Sequence, residues 1–379
     1  MTADAPVAVI GGGVVGAAVA YTLARRGVGA TLLEAEDALA LGASGTNSGI
    51  LHTGFDSKPG ALETDLLLRA VALRDAVLDD LGVPVLRLGA TLTPRDDDEA
   101  RTVRALAETA RANGAEVALG EDGTLSVPGE AVTDPVAYTL ALSGAAAAGG
   151  AQVRTGARVE AIRHVHGRLV LELSSGHEVA CRVAVNCAGL YSDEVARLAG
   201  DDSFEVYPRK GEFFVFDPPD GPPLEHILLA VPSKRTKGVL VFPSVDGKVI
   251  AGPTAHDQED KTDWSVRDEA RDEVLPKARA MLPALEGAEP IASYAGLRPA
   301  GRGVNYVIGP SHACPGLINV GAIRSTGMSA SLGIGEHVAD LVAQQGIELG
   351  ADRSLAGRAP PAADEPWWRR TALHRARVA

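Results

Sequence analysis

The first 34 residues carry the feature that most limits what this chain can fold into. Residues 7–10 form a short apolar run typical of a buried parallel strand, and residues 11–16 follow it as G-x-G-x-x-G. A helix-forming segment, 17–26, leads to a second apolar run, 30–33, which ends on Glu34. Strand, glycines, helix, strand and acid in this order predict the first βαβ unit of a dinucleotide-binding sheet.

The parts of this pattern have separate physical tasks in holding a dinucleotide. The first glycine permits a tight turn, the second lets the backbone approach a pyrophosphate, and the third lets helix and strand pack closely. The start of the helix offers amide donors and a positive dipole end, and the acid can accept hydrogen bonds from ribose hydroxyls. The pattern by itself fits FAD and NAD equally. These tasks fall on Gly11, Gly13, Val14, Val15, Gly16 and Glu34.

The loop after the second strand separates the two cofactors. Residues 42–54 read G-A-S-G-T-N-S-G-I-L-H-T-G, a small polar segment that can wrap closely around a flavin and its pyrophosphate. This loop resembles the D-amino-acid-oxidase-like family of FAD flavoproteins. Its N-S-G-x-x-H-x-G portion is similar to the glycerol-3-phosphate dehydrogenase and L-2-hydroxyglutarate oxidase branches. The resemblance implies that FAD is the cofactor and is contacted by Ala43, Ser44, Thr46, Asn47, Ser48 and Gly49.

The resemblance covers residues 7–342 and implies further cofactor contacts along the chain. Residues 153–162 are similar to a strand that returns beside the adenine, and residues 183–192 to a second flavin-contacting segment. A strand, a small-residue turn at 327–330 and a helix over 331–344 could direct a helix N-terminus at a reduced flavin. The contacts implied in this way are Val159, Ala188, Gly189, Gly296, Arg298, Gly327, Met328 and Ser329.

The middle of the chain has a different pattern, and it predicts the second half of the architecture. Residues 211–216, 238–242 and 248–252 read as strands joined by turns, which favours an antiparallel sheet, and residues 263–282 predict a charged amphipathic helix. We therefore expect an α/β fold whose two domains are discontinuous in sequence. A Rossmann-like FAD-binding domain takes residues 1–76, 133–203 and 296–357, a mainly antiparallel substrate domain takes residues 77–132 and 204–295, and residues 358–379 form a tail.

Oxidation of an alcohol needs a base for the hydroxyl proton, and histidine is the side chain that titrates near neutral pH. His52 is the leading candidate because it lies within the flavin-wrapping loop, and the resemblance places a histidine of this segment beside the flavin. A buried structural histidine is the alternative for this position. His226 and His256 are further candidates, although each fits a surface or turn position.

Arginine is the natural anchor for an anionic substrate, because its fork grips a carboxylate or phosphate through two parallel hydrogen bonds. Arg298 lies in the segment A-G-L-R-P, and the resemblance places this arginine over the flavin. An interdomain ion pair is the alternative. Arg324 is a candidate second clamp. Lys210 and Lys237 lie in segments similar to those that line the family's substrate cavity, but we expect both to be exposed.

Composition excludes several other classes of partner. A net charge of -13 argues against a nucleic-acid surface, and three cysteines without a CxxC pair give no metal site. Residues 7–24 are uncharged, but the glycines inside them argue against a transmembrane segment, so we expect a cytoplasmic protein. The tail reads W-W-R-R at 367–370, which fits a disordered or surface-packed segment, with a peripheral membrane or partner contact as the alternative.

Together these features predict an FAD-dependent dehydrogenase or oxidase. Its expected substrate is the secondary alcohol of a small anion, glycerol 3-phosphate or an L-2-hydroxy acid, and its electrons would pass to a quinone, a carrier protein or oxygen. Two alternatives stay open. One is an amino-acid or amine oxidase of the glycine or sarcosine oxidase type, and the other is a non-catalytic flavoprotein subunit of an electron-transfer complex.

Overall fold

The computed structural model describes residues 5–233, 237–355, 357 and 365–378 of the 379 in the chain. Its helices pack around sheets, and α1 lies against both α4 and α7 while α2 packs on α7. In the described residues the helices are α1 (Val14–Arg25), α2 (Leu62–Asp80), α3 (Asp97–Ala112), α4 (Pro135–Ala148), α5 (Ser192–Leu198), α6 (Glu269–Met281), α7 (Gly327–Gln344) and α8 (Trp367–Val378).

A mainly parallel sheet carries the dinucleotide fingerprint. Its central strands are short apolar runs that are buried on both faces, as expected for a sheet covered by helices. Within the described chain its strands are β1 (Val7–Ile10), β2 (Ala30–Leu33), β9 (Gln152–Arg154), β13 (Val183–Asn186), β20 (Val307–Pro310) and β21 (Leu317–Gly321). Their order is β20-β21-β13-β1-β2-β9, and all neighbours are parallel except β20 and β21.

A second, mainly antiparallel sheet faces the first. Its longest pairing runs from Val206 opposite Gly301 to Val215 opposite Ala292. The parallel pairing of β5 with β15 is the exception to its antiparallel pattern. In the described residues the strands of this sheet are β5 (Ala90–Leu92), β6 (Ala118–Leu119), β7 (Leu125–Val127), β14 (Val206–Phe216), β15 (Ile227–Leu228), β16 (Leu240–Pro243), β17 (Val249–Gly252), β18 (His256–Asp257) and β19 (Ala292–Gly301).

Two smaller sheets complete the described fold. One contains β10 (Val159–Val165), β11 (Arg168–Leu173) and β12 (Glu178–Cys181). The other has the order β3-β8-β4 and contains β3 (Ile50–Leu51), β4 (Val85–Leu86) and β8 (Ala131–Thr133). In the second of these, Leu51 pairs with Ala131 in antiparallel register. The residue after Leu51 and the residue before Ala131 therefore lie side by side, which brings His52 to Glu130.

The predicted α/β class with an antiparallel second sheet is confirmed. Two element boundaries were wrong. Helix α6 begins at Glu269 rather than at residue 263, because Asp263 turns back to accept hydrogen bonds from Ser265. Helix α7 begins at Gly327, so the small-residue turn that we expected at 327–330 is the first turn of the helix. The proposed domain boundary before residue 296 falls inside β19, and we propose to move it to the end of that strand.

One prediction about exposure was also wrong. Lys210 is fully buried, and its ammonium group pairs with the Asp263 carboxylate at 2.8 Å. The tail forms a helix that packs on the protein, one of the two forms expected for it, and its tryptophans are buried, with Trp367 3% and Trp368 6% exposed. Trp367 packs edge-on against Tyr294 of the antiparallel sheet, with ring centroids 5.7 Å apart. These two rings are therefore part of the protein core and do not offer a surface to a membrane.

Candidate functional site

A cavity of about 790 Å³ lies between the two large sheets, at the carboxyl ends of the parallel strands. Open α/β sheets place their ligand sites at this edge, and the volume is in the range of small-molecule and cofactor sites. We call its two regions the β2 end, around Glu34, Glu36 and residues 157–159, and the histidine end, around His52 and Arg298.

The glycines of the fingerprint bring backbone segments into close approach at this cavity. Gly11 has a φ of +111°, and a Cβ there would overlap the carbonyl oxygen of Cys187 at the end of β13. A Cβ on Gly16 would overlap the carbonyl oxygen of Gly11, so the third glycine serves the packing of α1 on the turn. Gly13 is the N-cap of α1 and lines the cavity, which leaves the helix N-terminus open to an anion.

Glu34 is held where the second strand ends. Its carboxylate accepts hydrogen bonds from the backbone N–H of Gly12 at 2.7 Å and of Glu36 at 2.8 Å. Burial raises the pKa of Glu34, and these backbone donors offset part of that shift. The carboxylate lines the β2 end of the cavity, as its predicted role at a ribose requires.

The loop after β2 forms a second wall of the cavity. The hydroxyl of Ser44 accepts a hydrogen bond from the backbone N–H of Val14 at 2.9 Å, which ties this loop to the start of α1. A Cβ on Gly296 would stand 2.8 Å from the carbonyl oxygen of Thr46, so β19 closes against the same loop. The first residues of α7, Gly327 and Met328, complete the wall.

The cavity gathers nearly all of the residues that the sequence predicted as cofactor contacts. Gly16, Gly49 and Ser329 are the exceptions, and each supports the wall from behind. A Cβ on Gly49 would overlap the carbonyl oxygen of Thr133. Ser329 accepts a hydrogen bond from the backbone N–H of His52 at 2.8 Å. The predicted residues that line the cavity are Gly11, Gly13, Val14, Val15, Glu34, Ala43, Ser44, Thr46, Asn47, Ser48, Val159, Ala188, Gly189, Gly296, Arg298, Gly327 and Met328.

His52 forms a dyad with a carboxylate that sequence reasoning missed. Its Nδ1 lies 2.7 Å from Oε2 of Glu130, and the Glu130 side chain is fully buried. The other carboxylate oxygen accepts hydrogen bonds from the backbone N–H of Thr53 at 2.6 Å and from its hydroxyl at 2.9 Å. A carboxylate at Nδ1 fixes the proton on that nitrogen and leaves Nε2 as the basic atom. His226 and His256, the other histidine candidates, are exposed and lie outside the cavity lining.

Arg74 fixes the backbone on both sides of this dyad. The side chain is 5% exposed and lies on α2. One nitrogen donates to the carbonyl oxygens of Leu51 at 3.0 Å and His52 at 3.3 Å, and the other donates to that of Gly129. A guanidinium that binds the segments before both His52 and Glu130 restricts their relative motion.

The guanidinium of Arg298 is held by backbone carbonyl oxygens. Its Nε donates to the carbonyl oxygen of Arg209 at 3.0 Å, and Nη2 donates to those of Lys210 and Thr254 at 2.9 and 2.7 Å. Among the described residues no carboxylate forms an ion pair with it, and the nearby Asp257 is paired with Arg209 at 3.2 Å. Burial lowers the pKa of Arg298 to about 10, so the group stays charged at neutral pH and is stabilised by an anion.

Two further charged side chains lie at the histidine end of the cavity. Arg324 lines it from an exposed position, with a φ of +52°. Lys237 also lines it, is 57% exposed as predicted, and pairs with Asp56 at 2.6 Å. Burial raises the pKa of Asp56, but Lys237 and, more weakly, His52 outweigh that effect and lower it overall. Cations therefore outnumber carboxylates among these side chains.

Comparisons with known proteins agree with this geometry. A family model described as "FAD dependent oxidoreductase" (DAO) matches residues 6–341. The chain belongs to the DAO family of FAD-dependent oxidoreductases. It is therefore an FAD-dependent dehydrogenase or oxidase. Among its described helices none is long and apolar enough to cross a membrane.

Several similar proteins are named for glycerol 3-phosphate or L-2-hydroxyglutarate. The flavoenzyme is 30% identical to a glycerol 3-phosphate dehydrogenase of Caloramator mitchellensis, over 89% of this chain and 73% of that protein. It is 31% identical to a mitochondrial L-2-hydroxyglutarate dehydrogenase of Mus musculus, over 65% of this chain and 60% of that one. An FAD-bound L-α-glycerophosphate oxidase from Mycoplasma pneumoniae superimposes with a TM-score of 0.87 at 25% identity, covering 95% of this chain and all of that one.

The residues present fit FAD. The open N-terminus of α1 suits the pyrophosphate, and Glu34 at the end of β2 suits the ribose hydroxyls.

Proposed function

We propose that this flavoenzyme oxidises the secondary alcohol of a small anionic substrate, glycerol 3-phosphate or an L-2-hydroxy acid, to the ketone. One observation carries the proposal. His52, which Glu130 supports at Nδ1, and Arg298, which has no carboxylate partner among the described residues, line the same cavity as the dinucleotide fingerprint. The dyad supplies a base for the hydroxyl proton of an alcohol, and the arginine supplies a guanidinium that binds a phosphate or carboxylate.

We assign the first step, substrate binding, to Arg298 with help from Arg324 and Lys237. The backbone carbonyls around Arg298 hold its guanidinium plane without neutralising its charge. A phosphate or carboxylate that enters the cavity therefore meets a partly buried cation that is already oriented, which lowers the entropy cost of binding. The exposed Arg324 and Lys237 add positive potential where the anion arrives.

We assign proton removal to Nε2 of His52. When the hydroxyl proton moves to this nitrogen, the ring becomes a cation, and the buried Glu130 carboxylate at Nδ1 stabilises that cation. Loss of the proton raises the electron density on the hydroxyl oxygen and favours departure of hydride from the carbon that bears it. FAD, when bound, supplies the two-electron acceptor for that hydride.

Anaerobic mixing of the flavoenzyme with a substrate panel tests this function. We expect loss of the oxidised flavin colour with glycerol 3-phosphate or with an L-2-hydroxy acid, and none with glycine, sarcosine or larger amino acids. Colour loss with amino acids alone would assign the chain to the amine oxidases. If no member of the panel reduced the flavin, a non-catalytic subunit would be the better description. Reoxidation of the reduced enzyme by oxygen, a soluble quinone or a carrier protein then identifies the acceptor.

A further inference from the structure

Three side chains of helix α8 contact the carbonyl oxygens of three successive residues in the loop after β2. Arg370 donates two hydrogen bonds to the carbonyl oxygen of Leu39, each of 3.2 Å. The hydroxyl of Thr371, a fully buried residue, lies 3.5 Å from the carbonyl oxygen of Ala40. Arg375 donates to the carbonyl oxygen of Leu41 at 2.9 Å. Residues 40 and 41 line the cavity, so α8 holds its wall directly from outside.

The other end of α8 is fastened to the antiparallel sheet. Trp367 packs on Tyr294, which in turn stacks on Phe213 with ring centroids 4.9 Å apart. The indole N–H of Trp368 donates to the carboxylate of Asp246 at 3.0 Å. The helix thus crosses from the antiparallel sheet to the loop that follows β2.

Arg375 itself reaches the cavity at its β2 end. One of its nitrogens lies 3.0 Å from a carboxylate oxygen of Glu36, and its guanidinium carbon stands 4.8 Å from the centre of the Trp264 ring. Arg375, Glu36 and Trp264 all line the cavity. The Nε of Arg375 is buried and has no hydrogen-bond partner among the described residues.

We propose that α8 is a clasp that retains FAD, and that Arg375, stacked on Trp264, closes the cavity over the adenosine diphosphate part of the cofactor. The two residues come from separate parts of the chain, one from α8 and one from the segment between β18 and α6. Their contact lies at the β2 end of the cavity, where Glu34 is the predicted partner of the ribose. Release of FAD then requires that this contact opens.

The proposal rests on FAD as the cofactor, and its test measures FAD release from the holoenzyme without any substrate. An excess of a flavin-binding apoprotein traps the released FAD, so that release is the slow step. The change in flavin fluorescence as FAD leaves the holoenzyme gives the release rate. We expect Arg375→Ala to release FAD at least about ten times faster than the unchanged protein, because a charge-assisted contact is lost. Trp264→Ala should accelerate release as well, and Trp264→Phe, which keeps an aromatic face, should restore most of the retention.

Arg369→Ala is the matched control, because Arg369 lies on the same helix but pairs with Glu365 at 3.4 Å and stays 56% exposed. Its release rate should equal that of the unchanged protein. Equal rates for Arg375→Ala and the unchanged protein would overturn the clasp, and so would equal acceleration by Arg369→Ala. Thermal unfolding of each apoprotein checks folding. Because turnover is not measured, a failed clasp leaves the proposed reaction untouched, and a failed substrate panel leaves the clasp untouched.

Discussion

Replacement of Glu130 by glutamine tests the base assignment most sharply among single variants. The carboxylate has no exposure and serves three contacts, namely His52 Nδ1 at 2.7 Å and the N–H and hydroxyl of Thr53 at 2.6 and 2.9 Å. Glutamine keeps the shape but carries one acceptor oxygen and one NH₂ donor. If the oxygen stays with Thr53, the NH₂ faces Nδ1 of His52. The histidine must then accept at Nδ1 and carry its proton on Nε2, where the base is needed.

The size of the effect follows from these contacts. Loss of a charge-assisted hydrogen bond to the imidazolium alone costs about 1.5–3 kcal/mol, or roughly a tenfold to hundredfold lower rate. Reversal of the tautomer removes general-base catalysis as well, which contributes about 10²–10⁴. We therefore expect Glu130→Gln to slow flavin reduction by at least about 100-fold, with KM changed much less, because Glu130 does not reach the anion clamp.

Anaerobic stopped-flow reduction of the flavin, followed across pH, is the assay. Thr53→Val is the matched control, because it removes one hydroxyl donor to Glu130 and leaves the His52 contact in place. We expect it to slow reduction by less than about tenfold. An unchanged rate and pH profile in Glu130→Gln, with FAD still bound, would refute the idea that this carboxylate sets the tautomer of His52.

Three further outcomes are expected. Gly16→Ala should purify without flavin colour because its Cβ would overlap the carbonyl oxygen of Gly11, whereas Gly144→Ala, whose Cβ meets nothing within 4 Å, should keep full colour. Arg324→Ala should raise KM by about tenfold or less with kcat unchanged, as its side chain is exposed; a large fall in kcat instead would place it at the reacting atoms. Burial raises the pKa of Glu212, but hydrogen bonds from Arg267 and Thr254 outweigh this and lower it below 4.5. The group therefore stabilises the fold above about pH 4.5, and that stability is lost as pH falls through the lowered pKa. Thermal unfolding should show a steeper loss below this pH than in Glu212→Gln, and parallel curves would contradict the assignment.

The sequence was informative where structure depends on neighbours in the chain. The fingerprint and the loop after β2 are local patterns with steric requirements, such as the close approach of Gly16 to Gly11, and those requirements are visible in the order of residue types. Arg298 was predicted from the resemblance of its segment A-G-L-R-P, and it lines the cavity. The antiparallel sheet at the second side of the cavity was also predicted, from the strands and turns within residues 211–252.

The residues that sequence reasoning missed depend on long-range pairing. Glu130 lies 78 residues from His52 and meets it through β3 and β8, whose two- and three-residue lengths give no periodic signal. Lys210 was expected to be exposed because its partner, Asp263, lies 53 residues away. Arg375 stands in a basic tail, and only the burial of Trp367 and Trp368 shows that this tail folds back on the core. Short strands and distant charge pairs depend on tertiary contacts, and the local sequence pattern does not reveal those contacts.

The central claim is that a partly buried arginine selects an anionic alcohol for oxidation at the dyad. Its most direct test compares the best substrate of the panel with an uncharged counterpart, glycerol for glycerol 3-phosphate or the 2-hydroxy amide for a 2-hydroxy acid. Values of kcat/KM are measured for the unchanged protein and for Arg298→Ala. We expect the unchanged protein to prefer the anion, and Arg298→Ala to lose about 2–5 kcal/mol of that preference while its activity on the uncharged alcohol changes little. An equal loss of kcat/KM for both substrates would show that Arg298 does not bind the anion and would contradict the account.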